Sequence, residues 1–205
     1  MTNFSYQTLL KPAEGQFKEK GSRFLAFAYP VDSEAAIKEH LSKVKKEYFD
    51  ARHHCYAWTL GADKKLFRAF DDGEPNHSAG DPILGQIRSK DLTNVLVVVV
   101  RYFGGVKLGV GGLISAYKTS AEEALNKAVI IQKEVTETIQ VIYDYAATPE
   151  VMRLVKEFDL VIQSQNFEED CKLIADYKLK DKEKFFERMA LLQAMGVKIY
   201  YETIL

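Results

Sequence analysis

A short stretch in the middle of the sequence combines glycines with cations. Five glycines fall within nine positions, directly after an apolar run that ends at Arg101. Glycine admits positive φ and lets the backbone approach other groups closely, so the stretch predicts a tight, shaped loop. Helical apolar spacing begins at Leu113, and the unpaired N–H groups of a helix N-terminus can hold an anion. We therefore predict an anion-binding site formed by Arg52, Arg101, Gly104, Gly105, Lys107, Gly109, Gly111, Gly112 and Lys118.

The glycine stretch does not match either standard nucleotide-binding motif. A Walker A loop ends in Gly-Lys-Ser/Thr, whereas Val110 follows Gly109 here. A dinucleotide-binding loop read from Gly109 to Ile114 lacks its third glycine. The alternative to anion binding is a structural loop, in which the glycines allow a strand and a helix to pack closely.

A second candidate is the acidic cluster Asp71, Asp72 and Glu74. Hard cations such as Mg²⁺ take carboxylate oxygens as ligands. The same residues, interrupted by Gly73, are also typical of a turn in which solvated acids need no ligand. Because substrate phosphates usually complete a magnesium site, we predict neither a metal nor a cofactor from this cluster.

His53, His54 and Cys55 suggest zinc binding or nucleophilic catalysis. On a strand, His53 and Cys55 share one face, so the strand offers at most two of the three or four ligands that zinc needs. Only His77 is a visible candidate to complete the set, and a Cys55/His77 pair lacks an orienting partner. We predict no metal ligands and no catalytic residues here.

The elements around these residues follow from their periodicity. The β-branched run Val95–Val100 predicts a strand covered on both faces at the centre of a sheet. Ser33 predicts the N-cap of a helix that runs to about Tyr48, and Asp81 predicts the N-cap of a short helix with Pro82 in its first position. Lys20-Gly21 predicts a hairpin turn.

A new pattern begins near residues 131–135, which predicts one domain over residues 1–131 and another over 136–205. The second has the element order βαββαβ, which is the ferredoxin-like arrangement. Glu168-Glu169-Asp170 predicts its hairpin turn, and Gly196 the end of its second helix. Its strand tyrosines suggest RNA stacking, but the RNA-recognition motif is absent, so we expect core packing for Tyr143. Tyr145, Tyr200 and Tyr201 are the other tyrosines of this domain that suggest RNA stacking.

The composition limits the functional class. A formal net charge of −1 argues against a strong, general nucleic-acid binder. Residues 1–130 nevertheless carry +3 and residues 131–205 carry −4, so any RNA contact requires a local basic patch in the first part. No apolar run suits a membrane span, the start is not a signal peptide, and Cys55 and Cys171 fit reduced thiols. We expect a soluble, cytoplasmic protein.

Several blocks of the sequence resemble the signature of the YigZ/IMPACT family. They are VVVVRYFGGVKLGVGGL followed by Ala116-Tyr117, the preceding Gly80, Ile83, Leu84 and Ile87, the turn Asp71–Pro75, and the His54–Ala57 strand. The resemblance covers nearly the whole chain. It implies an α+β protein with a ribosomal protein S5 domain 2-like core, which elongation factor G shares in its domain IV, and a ferredoxin-like domain resembling that factor's domain V.

Membership in this family also carries functional expectations. Eukaryotic IMPACT proteins regulate translation by competing for an activator of an initiation-factor kinase, and they do so through an additional N-terminal RWD domain. This sequence starts directly in the core, as in the bacterial two-domain form, so we do not expect that activity. The family supplies no established catalytic residues to transfer.

Three functional hypotheses follow. The first is a non-enzymatic, translation-associated factor that contacts RNA or the ribosome through Arg52, Arg101, Lys107 and Lys118. The second is a small-molecule or nucleotide-binding enzyme that combines the glycine loop with the acidic cluster. The third is a protein-interaction module whose partner binds the acidic second domain. We favour the first by analogy of fold.

Overall fold

The computed structural model describes residues 4–167 and 170–204, which form two compact units. The first unit is Tyr6–Lys133, and the second comprises the described residues from Glu134 onward together with Phe4 and Ser5. Strands and helices are mixed along the chain without a regular βαβ repeat, which is consistent with the predicted α+β class. The division into domains 1–131 and 136–205 stays a prediction.

The elements that lie wholly or mostly in the first unit are β1 (Ser5–Leu9), β2 (Ala13–Glu19), β3 (Ser22–Pro30), α1 (Glu34–Glu47), β4 (His53–Leu60), β5 (Leu66–Phe70), α2 (Gly80–Ser89), β6 (Val95–Tyr102), α3 (Gly109–Lys127) and β7 (Ile130–Glu134). The elements of the second unit are β8 (Thr136–Tyr143), α4 (Thr148–Glu157), β9 (Val161–Phe167), β10 (Cys171–Lys178), α5 (Lys182–Ala194) and β11 (Ile199–Ile204).

Strand β6 lies at the centre of a five-stranded antiparallel sheet with the order β2-β3-β6-β4-β5. Val95, Val97 and Val99 pack in one core cluster with residues of α2 and α3. The alternate residues from Leu96 to Val100 pack in a second cluster with residues of α1. The prediction of a strand covered on both faces is confirmed, because successive side chains point to opposite faces and both faces are buried.

The predicted turn and cap positions have mixed outcomes. Lys20 and Gly21 both have positive φ in the β2–β3 hairpin, and the Ser33 side chain accepts a hydrogen bond from the Ala36 amide at 3.3 Å, so both predictions are confirmed. The prediction that Asp81 caps α2 is wrong. The helix begins earlier, at Gly80, with Ala79 as its N-cap and no side-chain bond from that cap.

Strand β7 was not predicted. It pairs with β1 in a separate two-stranded sheet, and most of its residues are exposed. A short strand that buries little apolar surface has no strong alternation of apolar and polar residues, so its sequence resembles a linker. The pattern change near residues 131–135 therefore lies within and just after this strand.

The second unit has the predicted element order βαββαβ, and its antiparallel sheet has the strand order β11-β8-β10-β9. Tyr143 is buried in the core with residues of both helices, as expected. Gly196 ends α5 at positive φ, its amide bonding to the Gln193 carbonyl while the Val197 amide bonds to the Leu192 carbonyl, each at 3.0 Å. This Schellman motif confirms the predicted helix end. Of the predicted hairpin turn, Glu168 and Glu169 lie outside the described residues.

No helix among the described residues has both the length and the apolar composition that crossing a bilayer requires.

Gly15 allows β2 to lie directly against α3. A Cβ at this position would lie 2.3 Å from the Ala124 amide nitrogen and 2.8 Å from the Glu123 carbonyl carbon, both backbone atoms of a helix. We predict that Gly15→Ala lowers the free energy of unfolding by about 2–4 kcal/mol, because strand and helix must separate.

Gly85 in α2 provides the matched control, since its added Cβ meets no atom within 4 Å. Gly85→Ala should raise the free energy of unfolding by about 0.5–1 kcal/mol through helix propensity. Urea denaturation of both variants measures the two values, and equal stabilities would contradict the close packing.

Candidate anion-binding site

A pocket of about 440 Å³ lies at the N-terminus of α3. It brings together parts of the glycine stretch, the acidic cluster and the histidine strand, which are far apart in sequence. Its walls include Arg101 at the end of β6, Glu74 of the acidic turn and His53 at the start of β4. Of the predicted anion-binding residues, it is lined by Arg52, Arg101, Lys107 and Gly109.

The first turn of α3 is open at this pocket. The helix begins at Gly109, so the last three glycines belong to the helix rather than to the loop before it. Its N-cap, Leu108, makes no side-chain capping bond, and Gly109 adopts a φ of 71° that favours glycine. Gly109, Val110 and Gly111 are exposed. Because the first N–H groups of a helix have no intrahelical acceptor, this turn presents donors to a ligand.

The glycines of the stretch differ in what surrounds them. The Gly104 amide donates a hydrogen bond to Ser22 Oγ at 3.1 Å, and a Cβ at Gly104 would lie 1.9 Å from the Gly21 carbonyl carbon. Gly104 therefore serves close packing against the β2–β3 hairpin. A Cβ at Gly105, Gly109 or Gly111 would meet no atom within 4 Å. A Cβ at Gly112 would lie 3.0 Å from the Leu108 Cβ atom.

The predicted cations fall into two groups. Arg52 and Lys107 are exposed and line the pocket, and among the described residues neither forms an ion pair. Their charge is available to a ligand. Lys118 is also exposed, but it lies more than two turns into α3 and does not line the pocket.

Arg101 is the cation that the fold buries. It is 7% exposed, and its Nη1 donates to Glu74 Oε1 at 2.6 Å. The guanidinium carbon lies 5.6 Å from the Phe24 ring centroid and 5.7 Å from that of Phe103. Its Nε is buried and has no acceptor among the described residues. A buried donor without a partner carries a desolvation cost, so this guanidinium is partly unsatisfied where it is buried.

Glu74 connects Arg101 to the interior. Its Oε1 also accepts the Tyr117 hydroxyl hydrogen at 2.7 Å, and Cys55 Sγ lies 3.3 Å from the Tyr117 oxygen and 3.0 Å from the Asp71 carbonyl oxygen. Burial raises the pKa of the Cys55 thiol and of the Tyr117 hydroxyl well above their usual ranges. Both groups are therefore neutral at physiological pH.

The remaining acids of the predicted cluster bind backbone amides. Asp71 accepts from the amides of His77, Ala79 and Gly80 at 2.8–3.0 Å, which places it as a remote cap of α2. Asp72 Oδ2 accepts from the His54 amide at 2.7 Å. No group of three or more metal-ligating side chains occurs among the described residues. The geometry corresponds to the turn alternative for Asp71 and Asp72.

The histidines and Cys55 do not assemble a catalytic pair in the described structure. The Cys55 thiol contacts Asp71 and Tyr117, whereas His77 is 81% exposed at its side chain and pairs with Asp81 at 2.7 Å. His53 Nδ1 lies 2.9 Å from the Asp72 carbonyl oxygen and therefore donates to it. Of these residues, His53 lines the pocket.

Sequence reasoning did not predict the contact of Tyr117 with the Glu74 side chain beside the pocket. Tyr117 is fully buried. Its hydroxyl nevertheless needs a partner when buried, which is the physical reason to expect an acceptor such as Glu74 beside it. The sequence gives no indication of which acceptor is near.

Comparison with known proteins gives consistent similarities. The family model described as the Impact N-terminal domain matches residues 20–125. The IMPACT family member YvyE of Bacillus subtilis (strain 168) is 31% identical over 188 residues, which span 92% of this chain and 87% of that protein. An IMPACT family member of Haemophilus influenzae is 34% identical over 169 residues, 81% of this chain and 82% of its own. A crystal structure of a hypothetical protein covers 100% of this chain and 99% of its own, with 28% identity and a TM-score of 0.77.

Asp71 has a structural role, because its carboxylate accepts hydrogen bonds from backbone amides at the start of α2. We predict that Asp71→Ala lowers the free energy of unfolding by about 2–4 kcal/mol, because several amides lose their acceptor together. Asp81→Ala, which removes only the exposed pair with His77, should cost less than about 1 kcal/mol. Thermal or urea unfolding compares the two, and equal losses would contradict the capping role.

His54 should make stability depend on pH. It is buried, and its Nε2 donates to the Tyr48 carbonyl at 3.0 Å, while burial lowers its pKa below 6.5. The unfolded state therefore binds the proton more tightly. The contribution of this residue is fully present above pH 6.5 and is lost as the pH falls through the lowered value.

The variant His54→Gln tests this dependence. Urea denaturation between pH 7.5 and pH 5.5 should show a smaller loss of stability for this variant than for the native chain. His77→Gln, at an exposed position, should retain the native slope. A slope that is unchanged in His54→Gln would contradict the role of His54.

Proposed function

The chain belongs to the IMPACT family, and from this premise we propose that it is a non-enzymatic, translation-associated factor that binds RNA phosphates at the N-terminus of α3. The observation that carries the proposal is the pairing of an uncapped first turn with the buried, partly unsatisfied Arg101 at one pocket. RNA on the ribosome is the partner class that we propose, and regulation of translation is the process.

Charge supports an anionic ligand at this pocket. Arg101 is compensated by Glu74, whereas Arg52 and Lys107 add uncompensated positive charge at the rim. The helix dipole adds partial positive charge at the same place. Phosphate contacts of this kind position a protein on RNA without reading its sequence.

We further propose fold relationships that agree with this function. The first unit is an S5 domain 2-like domain, with α1 on one face of its sheet and α2 and α3 on the other. The second unit is a ferredoxin-like domain, supported by its βαββαβ order and its strand arrangement. These relationships link the chain to translation factors by analogy of fold, and the pocket provides the physical contact.

Lys107→Glu tests the proposal. Salt-titrated ribosome co-sedimentation of the native chain should weaken steeply with salt, because phosphate contacts release counterions. The variant should bind more weakly at low salt and show a shallower slope, by about 0.7–0.9 per lost phosphate contact.

Lys38→Glu provides a charge-matched control. Lys38 is exposed on α1, which packs on the opposite face of the sheet from α3. Native-like association in this variant, with a loss in Lys107→Glu, supports the pocket. Equal association of all three proteins at every salt concentration would contradict the proposal.

A further inference from the structure

The pocket at the N-terminus of α3 has an apolar wall that phosphate binding does not require. Phe103, Val110 and Leu113 line it together with the cations. Phe103 is 53% exposed, and Val110 is also exposed. A ligand that matched only the charges would leave this apolar surface in water.

The position of Phe103 favours a planar ligand. Its ring lies 5.7 Å from the Arg101 guanidinium carbon, so the buried cation helps to fix the ring beside the pocket. A fixed, half-exposed aromatic ring next to an anion site combines the two features that bind a nucleotide, which are a stacking surface and phosphate donors. The volume of about 440 Å³ also falls within the range of small-ligand pockets.

Resting on the function proposed above, we propose that this pocket binds an unpaired nucleotide of RNA, with its phosphate at the first turn of α3 and Arg101 and its base on Phe103. Duplex RNA stacks its bases inside the helix, so it can satisfy the cations but not the apolar wall. Selectivity for unpaired over paired RNA follows. A free mononucleotide has the same chemistry, and the test separates the two sources.

Fluorescence anisotropy with the full chain tests the proposal. The probes are a labelled single-stranded RNA 12-mer and a labelled RNA duplex of the same length, with AMP as competitor. The native chain should bind the single strand more tightly. Phe103→Ala should weaken single-strand binding by about 5- to 100-fold, since one stacked base is lost, while duplex binding changes less than twofold.

Phe67→Ala is the matched control. Phe67 is similarly exposed, at 47%, but it lies opposite Thr59, which pairs with Val95 at the far end of β6 from Arg101. This variant should bind both RNAs as the native chain does. Lys107→Glu should weaken both RNAs and reduce the salt slope.

The outcomes distinguish this inference from the proposed function. Equal single-strand and duplex binding, unaffected by Phe103→Ala but reduced by Lys107→Glu, overturns the unpaired nucleotide and retains phosphate binding. No salt-dependent binding of either RNA overturns both. AMP binding as tight as that of the 12-mer identifies a free mononucleotide as the ligand and overturns RNA as its source.

Discussion

The buried ion pair between Glu74 and Arg101 is the constraint on which the site depends. Arg101 follows six fully buried residues of β6. The central strand therefore places a charged side chain at the edge of the hydrophobic core. Burying such a group without a partner costs several kcal/mol, and removing one member of a buried pair typically costs about 3–5 kcal/mol. The acidic turn must therefore close over the end of β6. Because Tyr117 bonds to the same carboxylate oxygen, α3 is held in place by the same interaction.

This fixed floor contrasts with the open rim of the pocket. Glu74, Tyr117 and Cys55 form a continuous set of buried contacts, whereas Arg52, Lys107 and the first turn of α3 face solvent. The boundary between the buried floor and the open rim lies between Gly104 and Gly105. The Gly104 amide donates a hydrogen bond to Ser22, whereas Gly105 has open space around it. The start of the glycine stretch therefore packs against the β2–β3 hairpin, whereas Gly105, Gly109 and Gly111 are exposed residues with open space around them. Donors held on a rigid floor lose little conformational entropy when they bind a ligand.

Local patterns in the sequence are sufficient to predict most helices and strands. They do not predict which side chains of distant elements contact one another. The β-branched run of β6, the Ser33 cap and the Gly196 helix end each depend on neighbouring residues, and all three predictions are confirmed. The start of α2 was missed because its capping carboxylate, Asp71, lies nine residues before Gly80. The ion pair of Glu74 with Arg101 spans 27 residues and its bond to Tyr117 spans 43. Periodicity contains no information about such pairs, so the pocket could be predicted only as separate fragments.

Cys55, Tyr117 and Glu74 form hydrogen bonds with one another beside the pocket. A nucleophile or a general base needs a lone pair that is free and within reach of the ligand. Burial keeps the Cys55 thiol and the Tyr117 hydroxyl protonated, and the Glu74 oxygen nearest to them already accepts two hydrogen bonds. His53 lines the pocket, and because its Nδ1 hydrogen is donated to the Asp72 carbonyl, its lone pair lies on Nε2. Arg101, which is paired with Glu74, and the exposed ring of Phe103 also line this pocket. A nucleotide bound as proposed above would contact these groups through charge and stacking.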